Sequence, residues 1–135
     1  MVKPTIDVGE LRKQAIHAST LAYSPYSKAQ VGSALETSSG ELFYGCNIEN
    51  ASYGGTVCAE RVALWKAVSE GHLKIKRIYV YTRDGWPPCG LCRQVLSEFS
   101  DESTEVIIGD EKGNERKMLF TSLLPEAFGP NFLNK

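Results

Sequence analysis

The sequence predicts an α/β fold, built as a single mixed β-sheet of about five strands packed by helices. Three observations carry that prediction. Helical and strand-like stretches follow one another in the order α-β-β-α-β-α-β-β, a pattern that layers helices on a sheet. Turn residues at hairpin spacing join the first two strands, so part of the sheet is antiparallel. The chain has 135 residues, 42% of them hydrophobic, enough to bury on the order of two-thirds of its unfolded surface in one domain. No repeat, low-complexity tract or linker marks a second unit, so residues 1–135 are read as one domain.

The first helix opens at Asp7, a capping residue with Glu10 three positions on as its capping-box partner. Val8, Leu11, Ala15, Ala18 and Ala22 then recur in steps of three and four. The run ends at Tyr23-Ser24-Pro25-Tyr26, because Pro25 disfavours helical geometry at the residue before it. Strands are expected over Gln30–Glu36 and Glu41–Cys46, around the turn Ser38-Ser39-Gly40. After a loop with Gly54 and Gly55, a second helix should run from about Cys58 to Glu70, where Gly71 suits a left-handed ending. A strand over Ile75–Thr82 leads through Asp84-Gly85-Trp86-Pro87-Pro88 to a third helix, Cys89 to about Phe99. Strands at Glu105–Ile108 and Arg116–Phe120 follow, and the tail from Leu123 to Pro130 reads as irregular or briefly helical.

Charge and composition narrow the function. Fifteen Lys plus Arg against sixteen Asp plus Glu leave a net charge of −1, so a phosphate-driven nucleic-acid binder is not expected. No apolar run approaches the ~18 residues of a membrane helix, and the start MVKPTIDVGE has no signal-peptide core. A cytoplasmic setting is therefore expected. There the cysteines Cys46, Cys58, Cys89 and Cys92 stay reduced, and such spacings bind metal or do chemistry.

The informative residues are Cys58-Ala59-Glu60 and Pro88-Cys89-Gly90-Leu91-Cys92, each where a helix begins. Cys89 and Cys92 are three apart and share a helix face, with β-carbons about 5–6 Å apart. Zinc–sulfur bonds of about 2.3 Å in a tetrahedron bring sulfurs to roughly 3.8 Å, which that spacing allows. Cys58 would supply a third thiolate, favoured by the positive end of its helix. Three protein ligands and an open position are the pattern of catalytic zinc. Glu60 would lie beside the metal and carry a proton, pointing to metal-assisted hydrolysis. Arg61 could donate to the cysteine sulfurs and withdraw some of their charge.

Plainer readings stand beside this one. Cys89-x-x-Cys92 alone could be a redox pair, although Cys58 and Glu60 would then be unexplained. A closed four-cysteine site would have to recruit Cys46, which otherwise reads as a small buried residue at a strand end. Arg61 could be a solvated helix residue, and a zinc-stabilised binding module without catalysis would tolerate changes at Glu60. His17 and His72 lack ligand spacing.

Cys58-Ala59-Glu60-Arg61 with Pro88-Cys89-Gly90-Leu91-Cys92-Arg93-Gln94 closely resembles the cytidine deaminases, in particular the small homotetrameric kind with three cysteine ligands. The resemblance extends over nearly the whole chain, through Tyr26-Ser27-Lys28, Gly45-Cys46-Asn47-Ile48-Glu49-Asn50-Ala51, Ala67–Gly71 and Leu123-Leu124-Pro125 with Phe128. It implies a three-layer α/β/α domain converting cytidine and deoxycytidine to uridine and deoxyuridine, with release of ammonia, in pyrimidine salvage. It also implies one zinc ion per chain on Cys58, Cys89 and Cys92, and Glu60 as the group that moves protons between water, ring N3 and the leaving amine. The Ala59 N–H would bind the base O2, while Asn47 and Glu49 would grip the ribose 3′-hydroxyl. Residues two apart in an extended segment share a face, which supports that last pairing. By the same resemblance Phe128 stacks on the base from a neighbouring subunit, so active sites are shared in the homotetramer; taken alone, Phe128 reads as an apolar anchor for the C-terminus. The chain departs from the family at Ala29, where a phenylalanine is usual, and Tyr23, Tyr26 or Tyr53 are candidates to fill the gap. No basic cluster adjoins Asn47 and Glu49, so free nucleosides are the expected substrates.

Overall fold

A computed structural model describes residues 6–133; the first five residues of the stretch read as lacking a signal core lie outside it. The elements are α1 (Val8–Ser19), β1 (Gly32–Thr37), β2 (Leu42–Cys46), α2 (Ala59–Ser69), β3 (Ile75–Tyr81), α3 (Gly90–Ser97), β4 (Glu105–Gly109) and β5 (Glu115–Leu119), with three short 3-10 turns. The five strands form one sheet in the order β2-β1-β3-β4-β5. Only β3 and β4 pair in parallel; the other neighbours are antiparallel, so the sheet is mixed as expected. The crossover between the parallel strands is α3, which places the start of that helix at the C-terminal edge of β3.

Alternation along the strands distributes apolar side chains to both faces. Leu35, Ile78, Val106 and Ile108 point to a core shared with Ala63, Leu64 and Leu96 of α2 and α3. Their sequence neighbours Ala34, Tyr79 and Ile107 point the other way, onto Leu11 and Ala15 of α1. Helices thus cover both faces, giving three layers. A side chain at Gly45 in β2 would put its first carbon 2.5 Å from the Ala63 nitrogen and 2.8 Å from the Ala59 oxygen. Only a glycine lets α2 lie this close to the strand.

The element boundaries differ from the expected ones in instructive ways. The first helix stops at Ser19, three residues short of Ala22, because two consecutive hydroxyls turn back on it: Ser19 Oγ donates to the Ile16 carbonyl and Thr20 Oγ1 to the His17 carbonyl. Its capping box is half formed. The Asp7 carboxylate accepts from the Glu10 N–H at 3.0 Å, but the Glu10 side chain accepts from Gln14 Nε2. Gly71 ends α2 with φ +92°, and Gly40 closes the β1–β2 turn with φ +88°, both as the sequence requires. Cys58 and Cys89 lie just outside α2 and α3, as their N-caps.

Candidate functional site

Both N-cap cysteines have extended backbone, φ −79° and ψ 156° at Cys58, φ −67° and ψ 168° at Cys89. Their side chains therefore lean off the helix ends toward each other, with sulfurs 3.8 Å apart. Cys92, one turn into α3, brings a third, and all three sulfurs lie within 4.8 Å of one another. The 3.8 Å separation is the edge of a zinc–thiolate tetrahedron with bonds of about 2.3 Å. Soft sulfur donors at this distance fit zinc. Cys46 is half-buried at the end of β2 and takes no part in the cluster, which removes the four-cysteine alternative.

The hydrogen bonds around the sulfurs suit thiolate ligands as well. Arg61 Nη2 donates to Cys58 Sγ at 3.4 Å, and the Cys92 N–H donates to Cys89 Sγ at 3.4 Å. The hydrogen bond shared with Cys92, followed by those from Arg61 and Cys89, holds the Cys58 thiol well below its usual range. Cys92 is pushed up by the same shared bond, by burial and by the charges of Glu60 and Cys58. Left to themselves, then, the sulfurs do not all ionise together; a divalent cation between them removes the repulsion. Arg61 Nε is buried without a hydrogen-bond partner, and the guanidinium carbon sits 6.0 Å from the centre of the Trp65 ring. The arginine is wedged between sulfur and indole, so it is no solvated helix residue.

Glu60, in the first turn of α2, is 4% exposed. Burial pushes its carboxyl up to about 7, with the Cys58 charge adding to the effect and Arg61 opposing it. A carboxyl poised there can both accept and return a proton near neutral pH.

Asn47 and Glu49 flank Ile48, whose backbone bridges Tyr23 on one side and Val57 on the other. Both side chains reach the same loop, residues 26–31. Asn47 Oδ1 accepts from the Val31 N–H and Nδ2 donates to the Ala29 carbonyl, each at 2.9 Å. Glu49 Oε1 accepts from the Tyr26 and Ser27 N–H groups at 3.0 and 3.2 Å, and Oε2 accepts from the Ser27 hydroxyl. That hydroxyl foremost, then the two N–H groups and the Lys28 charge, hold the Glu49 carboxyl below its ordinary value. Sequence reasoning assigned no role to Ser27, because its partner lies 22 residues away and no local pattern signals the contact.

Ala29 lines a cavity of about 550 Å³ together with Tyr81, Arg83 and Trp86. None of the three tyrosines considered for the gap at Ala29 lines it; Tyr26 and Tyr53 instead meet edge to face, 6.2 Å between ring centres. Phe128 is 57% exposed and stacks on Phe132 at 5.7 Å. Its ring is therefore not a buried anchor: Gln94 Nε2 holds this segment through the Phe128 carbonyl, at 2.9 Å.

Known proteins share both the fold and these motifs. Residues 7–109 match the family model described as the cytidine and deoxycytidylate deaminase zinc-binding region. A cytidine deaminase of Halalkalibacterium halodurans is 47% identical over 126 residues, covering 92% of this chain and 96% of that protein. One from Sporosarcina psychrophila is 42% identical over 131 residues, covering 96% of each. Among solved structures, the cytidine deaminase from Burkholderia pseudomallei superposes with a TM-score of 0.87 at 40% identity, covering 91% of this chain and all (100%) of that one. That from Mycobacterium tuberculosis gives 0.80 at 36% identity, covering 92% and 98%. With identities at this level over nearly full length, and three sulfurs gathered at two helix starts, the chain belongs to the cytidine deaminase family.

Proposed function

We propose that this protein catalyses the zinc-dependent hydrolytic deamination of cytidine and deoxycytidine to uridine and deoxyuridine, releasing ammonia. One observation carries the reading: three sulfurs within 4.8 Å of one another lie beside a carboxyl group only 4% exposed. Cys58, Cys89 and Cys92 would hold one zinc ion per chain. Bound there, zinc supplies a nucleophile at neutral pH by acidifying water.

The remaining chemistry falls to the chain's own residues. Glu60 takes up one proton from the attacking water and delivers it to ring N3, then takes the second from the hydroxyl added at C4 and passes it to the leaving amine. Its burial supports this role, since an acid near 7 loses little driving force in either direction. Arg61 draws charge from Cys58 and so keeps the thiolates from over-neutralising the cation. Ala59 is the first residue of α2, where a backbone N–H has no partner within the helix, and it donates to the base O2. Asn47 and Glu49 receive the ribose 3′-hydroxyl. Phe128, exposed in the single chain, stacks on the base bound by a neighbouring subunit in a homotetramer. We place the enzyme in pyrimidine salvage in the cytoplasm, with residues 1–135 as one catalytic domain; among the described residues no helix is long and apolar enough to cross a membrane.

An ultraviolet assay of the purified protein against cytidine, deoxycytidine and cytidine monophosphate, with and without a zinc chelator, tests the proposal. Turnover of both nucleosides that the chelator abolishes is the expected result. Zinc-loaded protein that turns over neither would overturn it.

A further inference from the structure

Resting on the reading of Glu49 as a ribose ligand, we infer that Ser27 is a positioning residue for sugar recognition: its hydroxyl fixes the Glu49 carboxylate so that one acceptor site faces the substrate. A carboxylate offers about four lone-pair sites on two oxygens. Two on Oε1 are filled by the Tyr26 and Ser27 N–H groups, at 3.0 and 3.2 Å. One on Oε2 is filled by the Ser27 hydroxyl. A single site on Oε2 is left for an incoming hydroxyl.

The direction of the Ser27 proton is also settled. Ser27 Oγ accepts from the Ala29 N–H at 3.1 Å, so its one hydrogen is free to point at Glu49. The loop is shaped to hold it there. Lys28 adopts φ +66°, a left-handed conformation uncommon for a residue with a side chain, and its N–H bonds the Ser24 carbonyl at 2.9 Å. Asn47 grips the far end of the same loop through Ala29 and Val31. Both sugar-binding side chains are therefore set by residues 26–31. Two bonds to Oε1 alone allow the carboxylate to swing; the third, on Oε2, stops the rotation. The same bond, being charge-assisted, keeps the group ionised.

Steady-state kinetics of the zinc-loaded enzyme on cytidine and 3′-deoxycytidine test this, with Glu49→Gln as the reference variant. Ser27→Ala should raise KM for cytidine about tenfold, the scale of one hydrogen bond to a charged group, with kcat little changed. KM for 3′-deoxycytidine should stay where it is, and Ser27→Thr, which keeps the hydroxyl, should restore the wild-type ratio. The acid-side fall of 1/KM for cytidine should also move to higher pH in Ser27→Ala. A purely structural role would change both substrates together, and that result overturns the inference. If Glu49→Gln abolishes discrimination between the two nucleosides while Ser27→Ala preserves it, the ribose reading stands and the role of Ser27 is refuted. If Glu49→Gln itself preserves discrimination, the ribose reading fails and the inference falls with it.

Discussion

Arg12 of α1 clasps Glu115 at the start of β5 through two parallel hydrogen bonds, Nε to Oε2 at 2.5 Å and Nη2 to Oε1 at 2.8 Å. The Tyr79 hydroxyl donates to the same Oε2 from the middle of the sheet, also at 2.5 Å. This three-way contact ties the first helix to an edge strand 103 residues later in the chain. Replacing Glu115 by alanine removes the only acceptor described for the Tyr79 hydroxyl, so it should cost about 1–3 kcal/mol in urea unfolding.

The same carboxylate gives a pH dependence of known sign. Arg12 first, then Tyr79, hold the Glu115 carboxyl below its ordinary value in the folded protein. Its contribution is thus complete above the unfolded value of about 4.3 and fades as pH falls through the lower folded value. The stability gap between wild type and Glu115→Gln should be widest at neutral pH and close in acid. A gap that stays constant down to acid unfolding would refute this.

Glu60→Gln preserves volume but cannot accept a proton. It should retain one zinc per chain by elemental analysis and lose at least ~10²-fold in kcat, the usual scale of positioned proton transfer. Undiminished turnover would exclude Glu60 as the shuttle.

Cys89→Ala should lose the metal and the activity together. Cys89 supplies the sulfur 3.8 Å from Cys58, and two remaining thiolates make a poor tetrahedral site. One tightly held zinc per chain in this variant would contradict the ligand assignment.

Phe128→Ala should weaken cytidine binding, seen as a higher KM, while zinc content and melting temperature change little. The ring is mostly exposed in the single chain, so its loss leaves no internal void. Unaltered kinetics would remove it from the substrate site.

The elements and the Cys89–Cys92 pair were legible because their signals are local. Cys58, 31 residues from Cys89, was legible through the donor chemistry that three thiolates and an adjacent acid share with catalytic zinc. Gly40 and Gly71 mark ends that demand positive φ, and the three-residue step from Cys89 to Cys92 reports a shared helix face directly. The exact stops were not legible. That α1 ends at Ser19 depends on which carbonyls the Ser19 and Thr20 hydroxyls choose, a competition that the apolar period from Leu11 to Ala22 does not register. The bond between Ser27 and Glu49, and the lining of the Ala29 cavity by Tyr81 and Trp86 rather than by Tyr23, Tyr26 or Tyr53, arise from chain segments brought together only by folding.

Gly45 has a wider reach than its size implies. It sits two residues before Asn47 in the chain, and α2 rests on it through Ala59 and Ala63. The absence of a methyl group there sets the clearance between the strand that leads to Asn47 and the helix that carries Glu60. The positions of Asn47 and Glu60 are thereby gauged against each other by this close backbone approach, and any larger residue at 45 would prise strand and helix apart.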